Sequence, residues 1–237
     1  MPPVPKIHRS GISARDIAPG LHFPAIPANP ACVWHTGPVI DLTLECERNG
    51  WRLLDFRDEK MWPRDKVYNT AVYGWPKNKK RGASAGRRTK PCTTVMLHTT
   101  DASGMVGERG LGIPCHAFIG ADESLTLCHH AHRIAHHGHA ANSFTYGIEV
   151  SGKCDFDAPS QITRGRLLIA WWQQQRRADE PDAPCYVMAH RQSHWSRARD
   201  PGRVIWQELG EWAIDTLGFL LGPVVGDGQP IPDAWRT

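Results

Sequence analysis

The chain has 237 residues, of which 41% are hydrophobic and 22% charged, and its formal net charge is +4 at pH 7. This composition is typical of a globular protein, and the length is sufficient for one large domain with a hydrophobic core. The longest apolar runs, at 95–97 and 167–172, are far shorter than the roughly 18 residues of a membrane span. These properties exclude an integral membrane protein.

The N-terminal part of the chain is predicted to be an irregular extension of residues 1–90. Its first 40 residues are rich in proline, which removes backbone donors and prevents regular helices or central strands. Between residues 39 and 62 the apolar positions alternate locally and could form strands, whereas Glu45 to Arg48 could equally be helical. The chain starts with MPPVPKIHRS, which lacks the apolar segment of a secretory signal. We therefore expect synthesis in the cytoplasm.

A basic segment closes this extension at about residues 77–90. No carboxylate occurs between residues 66 and 100, and seven cations surround small residues at 82–86: Lys77, Lys79, Lys80, Arg81, Arg87, Arg88 and Lys90. One interpretation is a solvated linker. The other is attraction to an anionic polymer of the cell envelope. No nucleic-acid motif accompanies the charges, so nucleic acid is not an expected partner.

Residues 91–222 alternate between short apolar strands and amphipathic helices, which predicts an α/β domain, followed by a tail at 223–237. The predicted strands are Thr93 to His98, Cys115 to Ile119, Leu125 to Cys128, Tyr146 to Ser151 and Tyr186 to Ala189. The predicted helices are Arg164 to Arg177 and Arg203 to Leu220. The seven cysteines are scattered and lack a CxxC pair, so we expect mostly reduced, packed thiols rather than a disulfide framework.

Three polar residues follow or end apolar elements in a way that suggests metal binding. His98 and His190 each close a predicted strand, and Asp200 lies ten residues after His190 in a loop fixed by Pro201 and Gly202. Two imidazoles and one carboxylate can bind one face of a tetrahedral cation and leave the fourth position for water. Spacing alone leaves open the alternative that these histidines are hydrogen-bonded core or surface residues.

Glu149 is the candidate general base. Strand alternation places it on the face opposite to Ile148 and Val150. Partial desolvation of this carboxylate would raise its pKa and suit proton transfer, although a salt-bridged carboxylate on an exposed sheet face is an alternative. The histidine-rich segment from Cys128 to His139 is interpreted as a loop lining a cleft, in preference to a second metal site.

Five segments between Cys92 and Leu220 together resemble the zinc-dependent N-acetylmuramoyl-L-alanine amidases of the type 2 family, which share their fold with peptidoglycan recognition proteins. The segments are VMLHTT at 95–100, CHAFIGADESLTLC at 115–128, AHHG at 135–138, YGIEVSG at 146–152 and AHRQSHWSRARDPG at 189–202. Each segment is loose by itself, whereas their order and spacing are specific. The resemblance implies a central mixed β-sheet flanked by helices.

The resemblance also assigns roles to individual residues. It implies one zinc ion bound by His98, His190 and Asp200, with Glu149 as the acid/base residue. His137 and Asn142 occupy positions where the family contacts its substrate. The implied reaction is attack of zinc-activated water on the amide between N-acetylmuramic acid and L-alanine of the stem peptide.

This chain departs from the family pattern beside the carboxylate ligand. Many active members have a lysine two residues before that ligand, and here the position is Ala198, flanked by Arg197 and Arg199. Either guanidinium could stabilise the oxyanion of the transition state in place of the lysine. Where the family usually has a second histidine after the first ligand, this chain has Thr99. Where the family usually has a tryptophan, this chain has His136.

The resulting functional hypothesis is a monomeric peptidoglycan hydrolase with a lytic role, such as an endolysin or autolysin. Such an enzyme would reach the wall after release through a separate membrane pore. Two alternatives stay open: a module that binds muropeptide without cutting it, and a cytoplasmic amidase that recycles soluble anhydro-muropeptides.

Overall fold

The computed structural model describes residues 39–57, 87–107, 113–153 and 159–236. The predictions for the proline-rich arm, for most of the basic linker and for Cys32 and Cys154 lie outside these ranges. The five described cysteines are all buried and form no disulfide with one another, so they are packed as expected. Burial raises the pKa of the Cys46 and Cys92 thiols to about 11.

A seven-stranded mixed sheet forms the centre of the fold, as predicted. Its strands are β1 Arg52–Asp55, β2 Thr94–Thr99, β3 Ala117–Ile119, β4 Ser124–Leu127, β5 Thr145–Val150, β6 Tyr186–Ala189 and β7 Leu220–Leu221. The spatial order is β1-β4-β3-β5-β2-β6-β7. The β3–β4 hairpin is antiparallel, and every other pair is parallel. The five predicted strands are confirmed to within two residues at each end.

The central position of β2 explains its sequence. All six of its residues are buried, between β5 on one side and β6 on the other. A parallel strand that is covered on both faces reads as a continuous apolar run. Val95 and Leu97 face the main core, whereas Met96 belongs to a small cluster on the opposite face. His98 shares that opposite face because side chains alternate along a strand.

Helices pack on the face of the sheet to which Val95 and Leu97 belong. They are α2 Pro159–Asp179 and a C-terminal helix made of α3 Arg203–Ile205, a π-helical segment Trp206–Glu211 and α4 Trp212–Leu217. The predicted C-terminal helix ended at Leu220, whereas the observed helix ends at Leu217, so the prediction was wrong by three residues. Gly218 adopts a left-handed conformation (φ 70°) and ends the helix, because glycine lacks the Cβ that disfavours this conformation.

The ambiguous segment after residue 39 contains both a helix and a strand. The helix is α1 Leu42–Arg48, where the Asp41 side chain caps the backbone N–H groups of Thr43 and Leu44. The strand is β1, which pairs with β4 at the edge of the sheet. Part of the predicted N-terminal extension therefore packs on the sheet. The division of the chain near residue 91 stays a prediction.

The C-terminal tail supports the loop that follows β6. The backbone N–H groups of Val225 and Gln229 donate to the carbonyl oxygens of Gln192 and Arg191 at 2.8 Å each. The Arg191 guanidinium also lies 4.9 Å from the centre of the Trp235 ring. Within the described ranges, no helix combines the length and the apolar character that crossing a membrane requires.

Leu168 tests the core between α2 and the sheet. Its side chain is fully buried, so Leu168→Ala should lower the free energy of unfolding by about 3 kcal/mol through lost burial and a residual cavity. Leu44, which is 47% exposed on α1, provides the control substitution Leu44→Ala with a much smaller effect. Urea unfolding of both variants measures the difference, and equal losses would contradict this description of the core.

Candidate metal centre

The two candidate histidines meet because β2 and β6 are adjacent and parallel. In the β2–β6 register Leu97 is opposite Ala189, and His98 and His190 are the next residues of the two segments. Parallel neighbours end at the same edge of a sheet, so the two imidazoles emerge side by side. His190 begins a short 3₁₀ helix, His190–Gln192, whose next turn leads to the Asp200 loop.

The side chains of His98, His190 and Asp200 converge on one buried point. The Nδ1 atoms of the two histidines are 2.8 Å apart, and the Asp200 Oδ2 atom is 2.9 Å from His190 Nδ1. Each of these residues is at most 7% exposed. In the part of the chain that the structure describes, this is the one group of three His, Cys, Asp or Glu side chains with ligand atoms this close together.

Hydrogen bonds behind His98 determine which of its nitrogens carries a proton. The Thr145 hydroxyl donates to the Ala141 carbonyl oxygen, so both oxygens of Thr145 that face His137 Nε2, at 3.2 and 3.3 Å, are acceptors. His137 Nε2 must then donate, and His137 Nδ1 accepts from His98 Nε2 at 2.9 Å. This leaves His98 Nδ1 unprotonated, with its lone pair toward His190. Burial supports the neutral rings, since it lowers the pKa of His137 to about 3 and that of His98 well below its usual value.

The carboxylate of Asp200 is oriented by the backbone. Its Oδ1 atom accepts a hydrogen bond from the Thr99 N–H at 2.9 Å, which directs Oδ2 to His190. His190 Nε2 is buried and has no hydrogen-bond partner among the described residues. Two imidazole nitrogens and one carboxylate oxygen form a donor set that suits zinc and leaves one position open. Outer hydrogen bonds within the described residues orient His98 and Asp200, but not His190.

Glu149 stands beside this donor set. It lies on β5 directly opposite His98 of β2, and its Oε2 atom is 3.8 Å from His98 Nδ1. Burial raises the pKa of Glu149 well above its ordinary value, and the negative charge of Asp200 raises it further, whereas Arg197 opposes the shift. A carboxyl group that holds its proton unusually well next to a donor set of this kind is suited to general acid/base chemistry.

The structure distinguishes the two arginines that flank Ala198. Arg197 ends a short 3₁₀ helix, Trp195–Arg197, and its charge lowers the pKa of both His98 and Glu149. Both arginine side chains are exposed. Arg197 is the better candidate for a cation that acts on the centre, since its charge opposes the raised pKa of Glu149.

Residues 88–203, which include the whole centre, match the family model described as N-acetylmuramoyl-L-alanine amidase. The matched segment is just under half of the chain, and it is similar to the type 2 amidases. No curated protein sequence matches the chain significantly.

Solved structures similar to this chain include two endolysins and two insect proteins. An endolysin amidase from Clostridium intestinale is 15% identical, with a TM-score of 0.43, and the match covers 67% of this chain and 95% of that one. The endolysin of Thermus scotoductus bacteriophage Ph2119 is 16% identical, with a TM-score of 0.41, and the match covers 66% of this chain and 98% of that one. Drosophila PGRP-LB is 17% identical, with a TM-score of 0.44 and coverages of 68% and 92%. Bumblebee PGRP-SA is 14% identical, with a TM-score of 0.47 and coverages of 72% and 98%.

The two predicted substrate contacts of the amidase domain make internal hydrogen bonds. His137 is buried behind His98, where it fixes the imidazole. The Asn142 Oδ1 atom accepts from the Gly138 N–H at 2.6 Å and so closes the loop between them. Substrate contact by these residues stays a prediction, and the support of His98 by His137 is a role that sequence reasoning missed.

Sequence reasoning also missed an aromatic row beside the centre. The His139 ring lies 5.4 Å from that of His190 and stacks on His194 at 4.2 Å, and His194 in turn stacks on Trp195 at 5.8 Å. His139 has a φ of 49°, a backbone conformation that is uncommon outside glycine and often marks functional sites. The sequence signal that could have indicated this row is HGH at 137–139, which lies within the segment interpreted as a cleft-lining loop.

The support of His98 by His137 can be tested through metal affinity. His137→Phe removes the acceptor for His98 Nε2 and keeps an aromatic ring in the buried position, so zinc affinity should fall about 10- to 100-fold. Competition with a chromogenic chelator measures this change. The control is His132→Phe, at an exposed position where His132 stacks on His130. Unchanged zinc affinity in His137→Phe would show that His98 does not depend on this hydrogen bond.

Proposed function

We propose that this chain is a zinc-dependent peptidoglycan hydrolase that cleaves the amide bond between N-acetylmuramic acid and L-alanine of the stem peptide. The observation that carries the proposal is the convergence of His98 Nδ1, His190 Nδ1 and Asp200 Oδ2, with the partly buried Glu149 carboxyl 3.8 Å from His98 Nδ1. Zinc held by these three residues would polarise the scissile carbonyl and lower the pKa of water toward about 7.

Glu149 performs the proton transfers in this proposal. Its carboxylate accepts a proton from the attacking water and delivers that proton to the nitrogen of the departing L-alanine. Burial assists the first step, because a carboxylate with a raised pKa is a stronger base than an exposed one, and it keeps the proton on Glu149 until the more basic amine nitrogen departs. His137 and the Thr99 N–H keep the imidazole of His98 and the carboxylate of Asp200 in position.

Arg197 stabilises the negative charge that develops on the carbonyl oxygen. The family lysine is absent because position 198 is alanine, and the Arg197 charge already acts on Glu149 and His98. A fixed cation close to the reacting carbonyl strengthens its interaction as the oxyanion forms.

Substitution of the two arginines tests this assignment. Arg197→Gln should lower kcat by about 100-fold with little change in KM, since the interaction forms in the transition state. Arg199→Gln removes the same charge two residues away and should leave kcat near that of the unmodified chain. Steady-state kinetics on a soluble muropeptide measures both, and an equal loss in the two variants would contradict a specific role for Arg197.

A second candidate function is binding of muropeptide without cleavage. The observation that favours it is Ala198, at the position where many active type 2 amidases have lysine. Against it stands the complete set of two histidines, one aspartate and a partly buried glutamate at one point.

Wall digestion separates these functions. Zinc-loaded chain is incubated with purified sacculi, and the release of stem peptides with new N-terminal L-alanine is followed by end-group labelling and mass spectrometry. The proposal expects release that stops with chelator and returns with added zinc. Binding to sacculi without new amino termini would establish the recognition module. Cleavage of soluble anhydro-muropeptides by a chain that leaves sacculi undigested would establish the recycling amidase.

We further propose a lytic role, with polymeric wall as the substrate and a monomer as the active form. A lytic enzyme should lower the turbidity of suspensions of permeabilised bacteria. If the chain digested sacculi normally but left the turbidity unchanged, it would cleave wall without lysing cells, and the lytic role would be wrong. Gel filtration with light scattering measures the oligomeric state.

A further inference from the structure

A cavity lies on the face of the sheet opposite to the metal centre. It has a volume of about 570 Å³, and its walls are the start of β5, the C-terminal half of α2 and the segment that leads into β2. Tyr146 and Glu149 point to opposite faces of β5 because they are an odd number of residues apart. This space, called here the α2 cavity, has the size of a small-molecule site, for which about 300–1,000 Å³ is usual.

Two buried side chains in the wall of the α2 cavity have unused hydrogen-bond donors. Tyr146 is 1% exposed, and its hydroxyl has no partner among the described residues. The Arg176 side chain is 6% exposed; its Nη2 atom donates to Glu180 at 2.8 Å, while its Nε and Nη1 atoms have no partner in the described part of the chain. Buried donors without acceptors are costly, so these groups indicate an acceptor that a ligand would supply.

The charge of the α2 cavity favours an anion. Four cations line it, against two carboxylates: Arg57, Arg88, Lys90 and Arg176, and Asp179 and Glu180. Arg57 is paired with Asp55 outside the lining, at 2.6 Å. Arg88 instead donates to the carbonyl oxygens of Ala131, Asn142 and Thr145. These neutral acceptors hold the guanidinium in place and leave its charge uncompensated by a carboxylate in the described ranges.

Flat side chains in the same wall can contact the organic part of a ligand. Trp171 and Trp172 both line the α2 cavity, and the Arg57 guanidinium lies 5.4 Å from the centre of the Trp171 ring. His130 and His132 stack at 5.2 Å with an interplanar angle of 14°. A free inorganic ion would use none of these surfaces.

We propose that the α2 cavity is a second binding site of this chain and that it takes a small phosphate ester. The phosphate group accepts from Arg176 and Tyr146, and the positive charge of Arg88 and Lys90 attracts it. Phosphate fits better than carboxylate, because it carries up to two negative charges against the excess of cations and its tetrahedral oxygens can accept from Tyr146 and from one donor of Arg176 in different directions. The site is separate from the metal centre and does not depend on the proposed hydrolase function.

Calorimetric titration of the zinc-loaded full chain tests the proposal, with glycerol 3-phosphate as the small ester and poly(glycerol phosphate) as the polymeric alternative. Arg176→Gln should weaken binding of glycerol 3-phosphate about 10-fold or more, and Tyr146→Phe should weaken it to a smaller extent. The matched control is Arg177→Gln, the next residue of α2, which does not line the cavity. Melting temperature and the circular dichroism spectrum verify that each variant is folded.

The outcomes separate this site from the metal centre. Binding that persists in Asp200→Asn and weakens in Arg176→Gln supports the proposal. Binding that weakens in Asp200→Asn alone places the phosphate at the metal centre and overturns it. Binding of the polymer without the small ester, or no binding of either, also overturns it. Tyr146→Phe supplies a second measurement: without ligand it should melt no lower than the unmodified chain, since the removed hydroxyl is buried and unpaired.

Discussion

Glu149→Gln should lower kcat for wall hydrolysis by about 100- to 10,000-fold with the zinc content unchanged. Glutamine has the shape of glutamate but cannot accept a proton from water, and Glu149 is a candidate base rather than a member of the converging donor set. Release of N-terminal L-alanine from sacculi measures the activity, and elemental analysis measures the zinc.

The melting temperature adds an independent measurement on Glu149. Because burial raises its pKa in the folded state, Glu149 destabilises the zinc-free fold at pH values above the ordinary pKa of glutamate, and that destabilisation is lost as the pH falls to the ordinary pKa. Glu149→Gln should therefore melt at a higher temperature than the unmodified chain when both are free of zinc. Glu47→Gln, at an exposed position of α1, should change neither activity nor melting temperature. Full activity in Glu149→Gln would exclude Glu149 as the base.

Asp200→Asn should reduce bound zinc from about one ion per chain to a small fraction and abolish hydrolysis. The substitution removes the negative charge of the third proposed ligand, while the asparagine oxygen can still accept the hydrogen bond from the Thr99 N–H. The loop should therefore keep its conformation, and the loss should come from metal binding. Elemental analysis after dialysis measures the zinc directly.

The matched control for this prediction is Asp227→Asn. Asp227 is a half-exposed aspartate whose Oδ2 atom is 3.8 Å from His194 Nε2. Its substitution by asparagine therefore removes the same charge close to the aromatic row but outside the donor set. This variant should retain zinc. If Asp200→Asn kept as much zinc as Asp227→Asn, the proposed ligand assignment would be wrong.

Much of the fold could be predicted because its central strands are short, apolar and bounded by turn residues. The predicted β2 and β6 are found in the structure, and the polar residues at their ends made His98 and His190 candidates. Their adjacency could not be derived from spacing, since β2 and β6 are separated by about 90 residues along the chain and by β3, β4, β5 and α2. The resemblance to a known family supplied that link.

Short elements were less predictable. The four residues of β1 have no periodicity of their own, and their conformation is determined by hydrogen bonds to β4 at the edge of the sheet. The backbone position of Arg197 likewise depends on the short 3₁₀ helix after His194, which a residue count cannot locate. The function of His137 in orienting His98 depends on Thr145, eight residues away on β5.

By itself, the sequence determined the alternation of strands and helices and the chemical types available at the strand ends, because hydrophobic periodicity and side-chain chemistry are local properties. Only the tertiary structure shows that His98, His190, Asp200 and Glu149 lie side by side. It alone also shows that the Tyr146 hydroxyl and two donors of Arg176 have no partner among the described residues. Those facts depend on parallel strand pairing and on the loss of water around groups that are distant in the chain.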